Sequence, residues 1–251
     1  MAPNTTTEPI AAEVDPSIYG KSGDISKHLE GVKAQYDTKE KLEFYAQVMG
    51  DGTANIHFGK WDGVDLDEEG AYGKASEQMT DYMYDLATEL YGAEGDKKVS
   101  YVDLGSGTGA AALRLCEKHD AISKATCLNL CDKQNALATE RAAELGLGER
   151  IAVVTGTYEE APFEDDSFDM SLSQDAFVHA FSKVKTYSEA LRITRPGGVF
   201  VFCDVPDAEL ETFAATNGQL SAWIWILNDC VTLALLRVAT IGGGIQFCFV
   251  M

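Results

Sequence analysis

Apolar positions recur with two different periods along this chain, and the change of period divides it. Between Ser26 and Gly50 they fall three to four apart, at Leu29, Val32 and Tyr36 and again at Leu42, Tyr45, Val48 and Met49. That spacing predicts two amphipathic helices that cap something else. Asn55-Ile-His-Phe-Gly-Lys-Trp61 and an acidic loop from Asp62 to Glu69 follow. Tyr72 to Tyr91 then reads as a longer helix with Met79, Met83, Leu86 and Leu90 on one face.

From Val99 onward, short apolar runs alternate with helical stretches. Strands are expected at Val99–Leu104, Ala125–Leu130, Ile151–Val154, Phe168–Ser173 and Val199–Asp204, and helices at 110–118, 132–145 and 184–194. Gly146 and Gly148 end the second helix, and Arg195-Pro-Gly-Gly198 turns into the last strand. The runs lack polar alternation, as strands buried on both faces do. The fold class is therefore α/β, a doubly wound and mostly parallel sheet with crossover helices. A helical pattern continues from Asp207 through Leu210, Phe213, Leu220, Trp223 and Ile226 toward Val238, and Ile245–Met251 reads as a final strand. The run from Cys230 to Leu236 is too short and too polar at its flanks to span a membrane.

Residues 1–26, rich in Thr, Pro and Gly, read as a disordered lead-in. One domain covers 27–251, with a helical lid and linker over 27–95, a core over 96–204 and a C-terminal segment over 205–251. Twenty basic residues against 40 acidic ones give a formal charge of −20. That balance argues against nucleic acid or an anionic membrane as partner, because phosphate binding is carried by cationic surface. Six cysteines form no Cys-x-x-Cys pair and have no histidine at metal-ligand spacing, so no metal site is expected. They read as reduced thiols. The N-terminus lacks the basic and apolar regions of a secretory leader, and a cytoplasmic protein is expected. Nothing in the sequence speaks to oligomeric state.

The chemistry concentrates where the first strand ends. Val99-Ser-Tyr-Val-Asp-Leu-Gly-Ser-Gly-Thr-Gly109 is a strand, a glycine-rich turn and a helix start in succession. Backbone N–H groups and a helix dipole then surround one point. Gly105, Gly107 and Gly109 permit positive φ and let a ligand approach the main chain. Gly-x-Gly-x-Gly also occurs in ordinary loops, and its spacing is not the dinucleotide fingerprint. Asp103, just before the turn, would repel a pyrophosphate and pair with an ammonium. Strand ends of such a sheet face one crevice, which makes Asn129 a candidate for ribose hydroxyls. Thr157 and Tyr158, after the third strand, become candidates for an adenine ring. Tyr158 alone also fits a half-buried loop aromatic. Asp175 and His179 are four apart and share a face if that segment is helical.

Val-Asp-Leu-Gly-Ser-Gly-Thr-Gly resembles the first motif of the class I S-adenosylmethionine-dependent methyltransferases. Ser173-Gln-Asp-Ala-Phe-Val-His179, Thr126-Cys-Leu-Asn-Leu130, Gln35-Tyr-Asp, Phe44-Tyr45 and Ile56-His-Phe-Gly59 resemble the sarcosine/dimethylglycine N-methyltransferases and, more distantly, the phosphoethanolamine methyltransferases. The matching motifs run from about residue 35 to 204.

The resemblance implies S-adenosylmethionine as methyl donor, bound by Ile56, His57, Asp103, Gly105, Gly107, Asn129, Thr157, Tyr158 and Gln174. It implies a catalytic pair, Tyr36 and His179, and a small substrate held by Asp175 and Tyr45 under the N-terminal lid. On the residues alone, Tyr36 is a packing aromatic, and His179 also fits a core histidine. Three departures stand out: Asn129 where an acid is usual, Met49 where the family has Trp, and Asn55 where it has Asp. The C-terminal segment is expected to hold only the first strand of the reversed β-hairpin that ends this fold. The implied activity is N-methylation of sarcosine or dimethylglycine toward glycine betaine. S-methylation of a thioether acid such as 4-methylthio-2-hydroxybutyrate toward dimethylsulfoniopropionate is an alternative. A non-catalytic, cofactor-binding partner subunit is a second.

Overall fold

The computed structural model describes residues 23–48, 55, 57, 59–92, 97–204, 237–241 and 244–250. Among the described residues, three helices precede the sheet: α1 (Ile25–Tyr36), α2 (Lys39–Val48) and α3 (Ala71–Tyr91). Asp24 caps α1 by accepting from the Ser26 amide. The helix thus begins one residue before the expected boundary, inside the stretch read as lead-in. The alternating core follows as β1 (Val99–Leu104), α4 (Ala110–Lys118), β2 (Ile122–Asn129), α5 (Asp132–Glu144), β3 (Ile151–Thr155), β4 (Phe168–Gln174), α6 (Lys183–Ile193) and β5 (Thr194–Asp204). Two further strands, β6 (Arg237–Ile241) and β7 (Gly244–Val250), complete a seven-stranded sheet of order β3-β2-β1-β4-β5-β7-β6. β1 to β5 are parallel, while β7 runs antiparallel to both β5 and β6.

The two faces of the sheet carry separate clusters, as the unbroken apolar strands require. Val99 and Tyr101 of β1 join Met79, Met83 and Tyr84 of α3 and Leu115 and Cys116 of α4 on one side. Val102 and Leu104 point to the other, with Phe200 and Phe202 of β5 and Ala190 and Ile193 of α6. Leu86 and Leu90 lie at the margin of the first cluster, so the expected face of α3 is the one it buries. Four cysteines, at 116, 127, 131 and 203, are buried thiols.

Two expectations about the sheet are corrected. The helical pattern leading toward Val238 does not reach it, because Arg237–Ile241 is a strand, and the reversed hairpin has both of its strands. The fold is therefore not shortened at that edge. The turn at Arg195–Gly198 falls inside β5 as an irregularity: Thr194 pairs with Phe168 and Val199 with Met170, with the residues between them bulged. The rest of the expected C-terminal helix lies outside the described residues.

Gly59 lies where the chain from the lid meets α3. A Cβ there would sit 2.4 Å from both the carbonyl carbon and the Cβ of Ala75, a residue with no exposed surface. Backbone cannot yield as a flexible side chain does. Gly59→Ala should therefore lose about 1–3 kcal/mol of stability, or roughly 2–4 °C of melting temperature per kcal/mol for a domain of this size. Thermal unfolding of the purified variant checks this.

Candidate active site

The carboxyl ends of β1, β2, β3 and β4 open into one cleft of about 950 Å³, part of it continuous with solvent. The glycine turn forms its floor. The amides of Gly105 and Ser106 donate to the Leu128 carbonyl at 2.8 and 3.2 Å, which ties the turn to β2. Gly105 has φ +82°, and a Cβ on it would lie 2.3 Å from the Ala176 Cβ. Only glycine satisfies both the backbone angle and that approach.

Asp103 ends up buried at the head of this turn. Burial pushes its carboxyl up to about 7, and the Tyr101 hydroxyl beside it offsets only part of that rise. Its Oδ2 has no hydrogen-bond partner among the described residues; nor has the buried Ser106 Oγ or Gln174 Nε2. Gln174 Oε1 accepts from the Thr80 hydroxyl at 3.2 Å, which fixes the amide and leaves its nitrogen over. One buried acceptor and two buried donors thus line the same cleft. The zwitterionic end of an amino acid fits that set: its ammonium against Asp103, its carboxylate against Ser106 and Gln174.

At the end of β2, Asn129 is buried and its Nδ2 lies 3.1 Å from both Gln134 Oε1 and Asn135 Oδ1. With the nitrogen engaged inside the protein, Asn129 Oδ1 remains to accept from a ribose hydroxyl. Gly156, Thr157 and Tyr158 line the next stretch. The Tyr158 ring sits edge-on to Phe177, centroids 5.0 Å apart, and its hydroxyl donates to the Ala176 carbonyl at 2.9 Å. His57 is buried and lines the cleft, whereas Ile56 and Met49 lie outside the described residues.

Helix α1 closes the cleft from above. Leu29, Val32 and Tyr36, the residues of its apolar stripe, face in. The helix is fastened at both ends. His28 Nε2 lies 2.7 Å from the His179 carbonyl; Lys33 pairs with Asp132 at 3.1 Å, and the Lys133 amide donates to Asp37 at 2.7 Å. Tyr36 meets His179 directly, hydroxyl to Nε2 at 2.7 Å. Burial, with Tyr45 and Cys131 nearby, pushes the Tyr36 hydroxyl up to about 12. Tyr36 therefore keeps its proton at neutral pH and can donate it to His179 when Nε2 is the unprotonated ring nitrogen. Tyr45 does not line the cleft. It stacks on Tyr36, centroids 5.2 Å apart, and Gln35 donates to both hydroxyls, at 3.3 and 3.4 Å.

Asp175 and His179 both line the cleft, but by a different route from the shared helical face expected of them. Asp175 adopts φ +48°, and only Phe177–His179 forms a single 3-10 turn. The Asp175 amide is held by the Cys203 carbonyl at 2.7 Å. A left-handed non-glycine residue at the mouth of a cleft is a strained position of the kind found at binding sites. Leu29, Val32, Ser106 and Gln134 also line the cleft and were not predicted as site residues from the sequence. The spacing of Leu29 and Val32 to Tyr36 was a usable signal; Ser106 and Gln134 offered none.

The strand order, the glycine turn headed by a buried acid and the strand-end cleft define a class I methyltransferase fold. A family profile described as a methyltransferase domain matches residues 102–202. A sarcosine/dimethylglycine N-methyltransferase from Halorhodospira halochloris is 31% identical over 182 residues, covering 72% of this chain and 60% of the relative. A crystal structure of a putative sarcosine dimethylglycine methyltransferase from Galdieria sulphuraria is 30% identical, with a TM-score of 0.56 over 72% of this chain and 66% of that one. The [4+2]-cyclase SpnF superposes equally well, with a TM-score of 0.57 at 24% identity, covering 72% of this chain and 62% of the other. That last likeness concerns the fold alone.

The chain is similar to the sarcosine/dimethylglycine N-methyltransferases and carries the fold of the class I S-adenosylmethionine-dependent methyltransferase family. It spans about three fifths of the length of the curated relatives it matches. S-adenosylmethionine is the methyl donor of this family. Among the described residues no group of three or more His, Cys, Asp or Glu is arranged to hold a metal ion, and no helix is long and apolar enough to cross a membrane.

Proposed function

We propose that this protein transfers a methyl group from S-adenosylmethionine to the nitrogen of a small amine, sarcosine or dimethylglycine, toward glycine betaine. The observation that carries the reading is the Tyr36–His179 hydrogen bond of 2.7 Å beneath the lid helix, in the same cleft as Asp103. The names of the relatives from Halorhodospira halochloris and Aphanothece halophytica support the substrate.

Asp103, Ser106 and Gln174 hold the amino-acid end of the donor, Asn129 its ribose, and Thr157 with Tyr158 its base; Gly105, Gly107 and His57 shape and close the pocket. Bound there, the donor supplies an electrophilic methyl on a sulfonium, open to in-line displacement. Catalysis then consists chiefly in holding the nucleophile close and aligned. Asp175 binds the ammonium form of the substrate. Before attack the nitrogen loses its proton to the Tyr36 oxygen as the Tyr36 proton passes to His179 Nε2, so the imidazole is the general base. The Tyr36 ring faces the cationic product, and Tyr45, stacked on it from outside the cleft, holds that ring in place.

Transfer of labelled methyl to sarcosine, dimethylglycine and a panel of amines and thioethers between pH 6 and 9 tests this. The expected outcome is methylation of the amines at a rate that falls as pH drops, with a weakened acid limb in His179→Ala. Exclusive methylation of 4-methylthio-2-hydroxybutyrate, whose thioether needs no deprotonation, would overturn the amine reading. Donor binding without turnover on any compound would favour a partner subunit.

A further inference from the structure

Glu159 is the one fully buried acid of the chain's described residues that plays no part in the cleft: it shows no exposed surface and does not line the cavity. Its two oxygens are both spent on main chain beyond the catalytic segment. Oε1 accepts from the Ser182 amide at 2.6 Å and Oε2 from the Phe181 amide at 3.0 Å. Ser182 is the N-cap of α6, so the carboxylate also faces the positive end of that helix. No lysine, arginine or histidine among the described residues forms an ion pair with it.

The residue before it grips the other end of the same segment. Tyr158 donates to the Ala176 carbonyl at 2.9 Å and packs its ring on Phe177. Two neighbours in sequence therefore hold residues 176 and 181–182, and His179 lies between these anchors. The loop that provides them, 156–159, also lines the cleft with Gly156, Thr157 and Tyr158.

We propose that Tyr158 and Glu159 are positioning residues, a two-point brace through which the loop beside the donor's base sets the place of His179. Glu159 touches neither donor nor substrate and acts only through the segment it holds. Without the brace, His179 is held only by one 3-10 turn and by the lid helix through His28 and Tyr36, and its bond to Tyr36 loses register. A displacement of that order weakens catalysis steeply, because the proton transfer depends on alignment. The proposal rests on the reading of His179 as the general base.

Glu159→Gln tests it, since the amide can accept from one N–H while its own NH2 faces the other. The readout is the imidazole ¹⁵N spectrum of His179, one of only four histidines in the chain, with Tyr36→Phe as the reference for a lost Tyr36–His179 bond. The expected result is that Glu159→Gln moves the His179 signals toward that reference. Affinity for S-adenosylhomocysteine stays within about twofold, and turnover falls at least about tenfold. Ser182→Ala, which removes the α6 cap to the Lys185 amide but keeps both Glu159 bonds, should leave the signals in place.

Unmoved His179 signals in folded Glu159→Gln, or an equal shift in Ser182→Ala, would overturn the brace. If Glu159→Gln does not fold, Tyr158→Phe must move the signals in the same direction, and their failure to move overturns the proposal. Full turnover in His179→Ala would instead remove the catalytic reading, and the spectra would still decide the brace.

Discussion

Asp103→Asn should weaken S-adenosylmethionine binding by about 100-fold or more, the loss expected when one partner of a buried, hydrogen-bonded charge pair is neutralised. The effect has a pH signature. In the empty protein burial raises the Asp103 carboxyl from 3.8 to about 7, so at lower pH the group holds a proton that an incoming ammonium must displace. Wild-type affinity should therefore fall about tenfold per pH unit below 7 and level off above it, until the ligand's own amine deprotonates near pH 8. Asp103→Asn should lack the acid limb.

Stability moves the opposite way. A carboxyl whose folded value is raised binds its proton more tightly in the native state. Its contribution to the empty protein is fully present below pH 3.8 and is lost as pH rises through about 7. At pH 8 Asp103→Asn should then melt higher than the wild type while binding the donor poorly. Calorimetric titrations and melting curves from pH 5.5 to 8.5 read both effects.

His179→Ala should lower turnover by about 10²–10³-fold with donor affinity little changed, the usual range for removal of a general base. Tyr36→Phe should approach the same loss although it removes a single oxygen, because the Tyr36 hydroxyl is the link to His179 Nε2 at 2.7 Å. With its hydroxyl held up at about 12, Tyr36 does not itself titrate in the working range. The acid limb of the rate profile should therefore not belong to Tyr36 and should persist, at a reduced rate, in Tyr36→Phe. Combining the two substitutions should add little to either alone, since residues acting as a unit are not additive. Steady-state rates of the three variants, set beside their affinities for S-adenosylhomocysteine, measure this.

The core was legible in the sequence because its strands are buried on both faces, and such strands read as unbroken apolar runs wherever they pair. The last two strands were harder. Arg237–Ile241 continues an apolar stretch with helical spacing, and its strand state comes from pairing with Gly244–Val250, a partner that local pattern does not display. The bulge at Arg195–Gly198 looked like a plain turn for the same reason.

Within the site, the motif located Asp103 and the turn, and strand-end topology located Asn129 and Tyr158. The approach of Asp175 to His179 was anticipated through a helix that does not form there; a left-handed residue and a 3-10 turn bring both to the cleft instead. Tyr45 reaches the chemistry only through Tyr36. Glu159 was hidden altogether. An acid among Glu, Asp and Pro in a loop looks solvated until the amides of Phe181 and Ser182 are seen around it.

The position of S-adenosylhomocysteine in a crystal of the complex tests the whole arrangement most directly. The account expects its ammonium in hydrogen-bond contact with Asp103, its ribose at Asn129 and its base beside Thr157 and Tyr158. Its sulfur should face the side of the cleft where Tyr36 meets His179. A ligand bound elsewhere, or bound in this cleft with its ammonium turned away from Asp103, would contradict it.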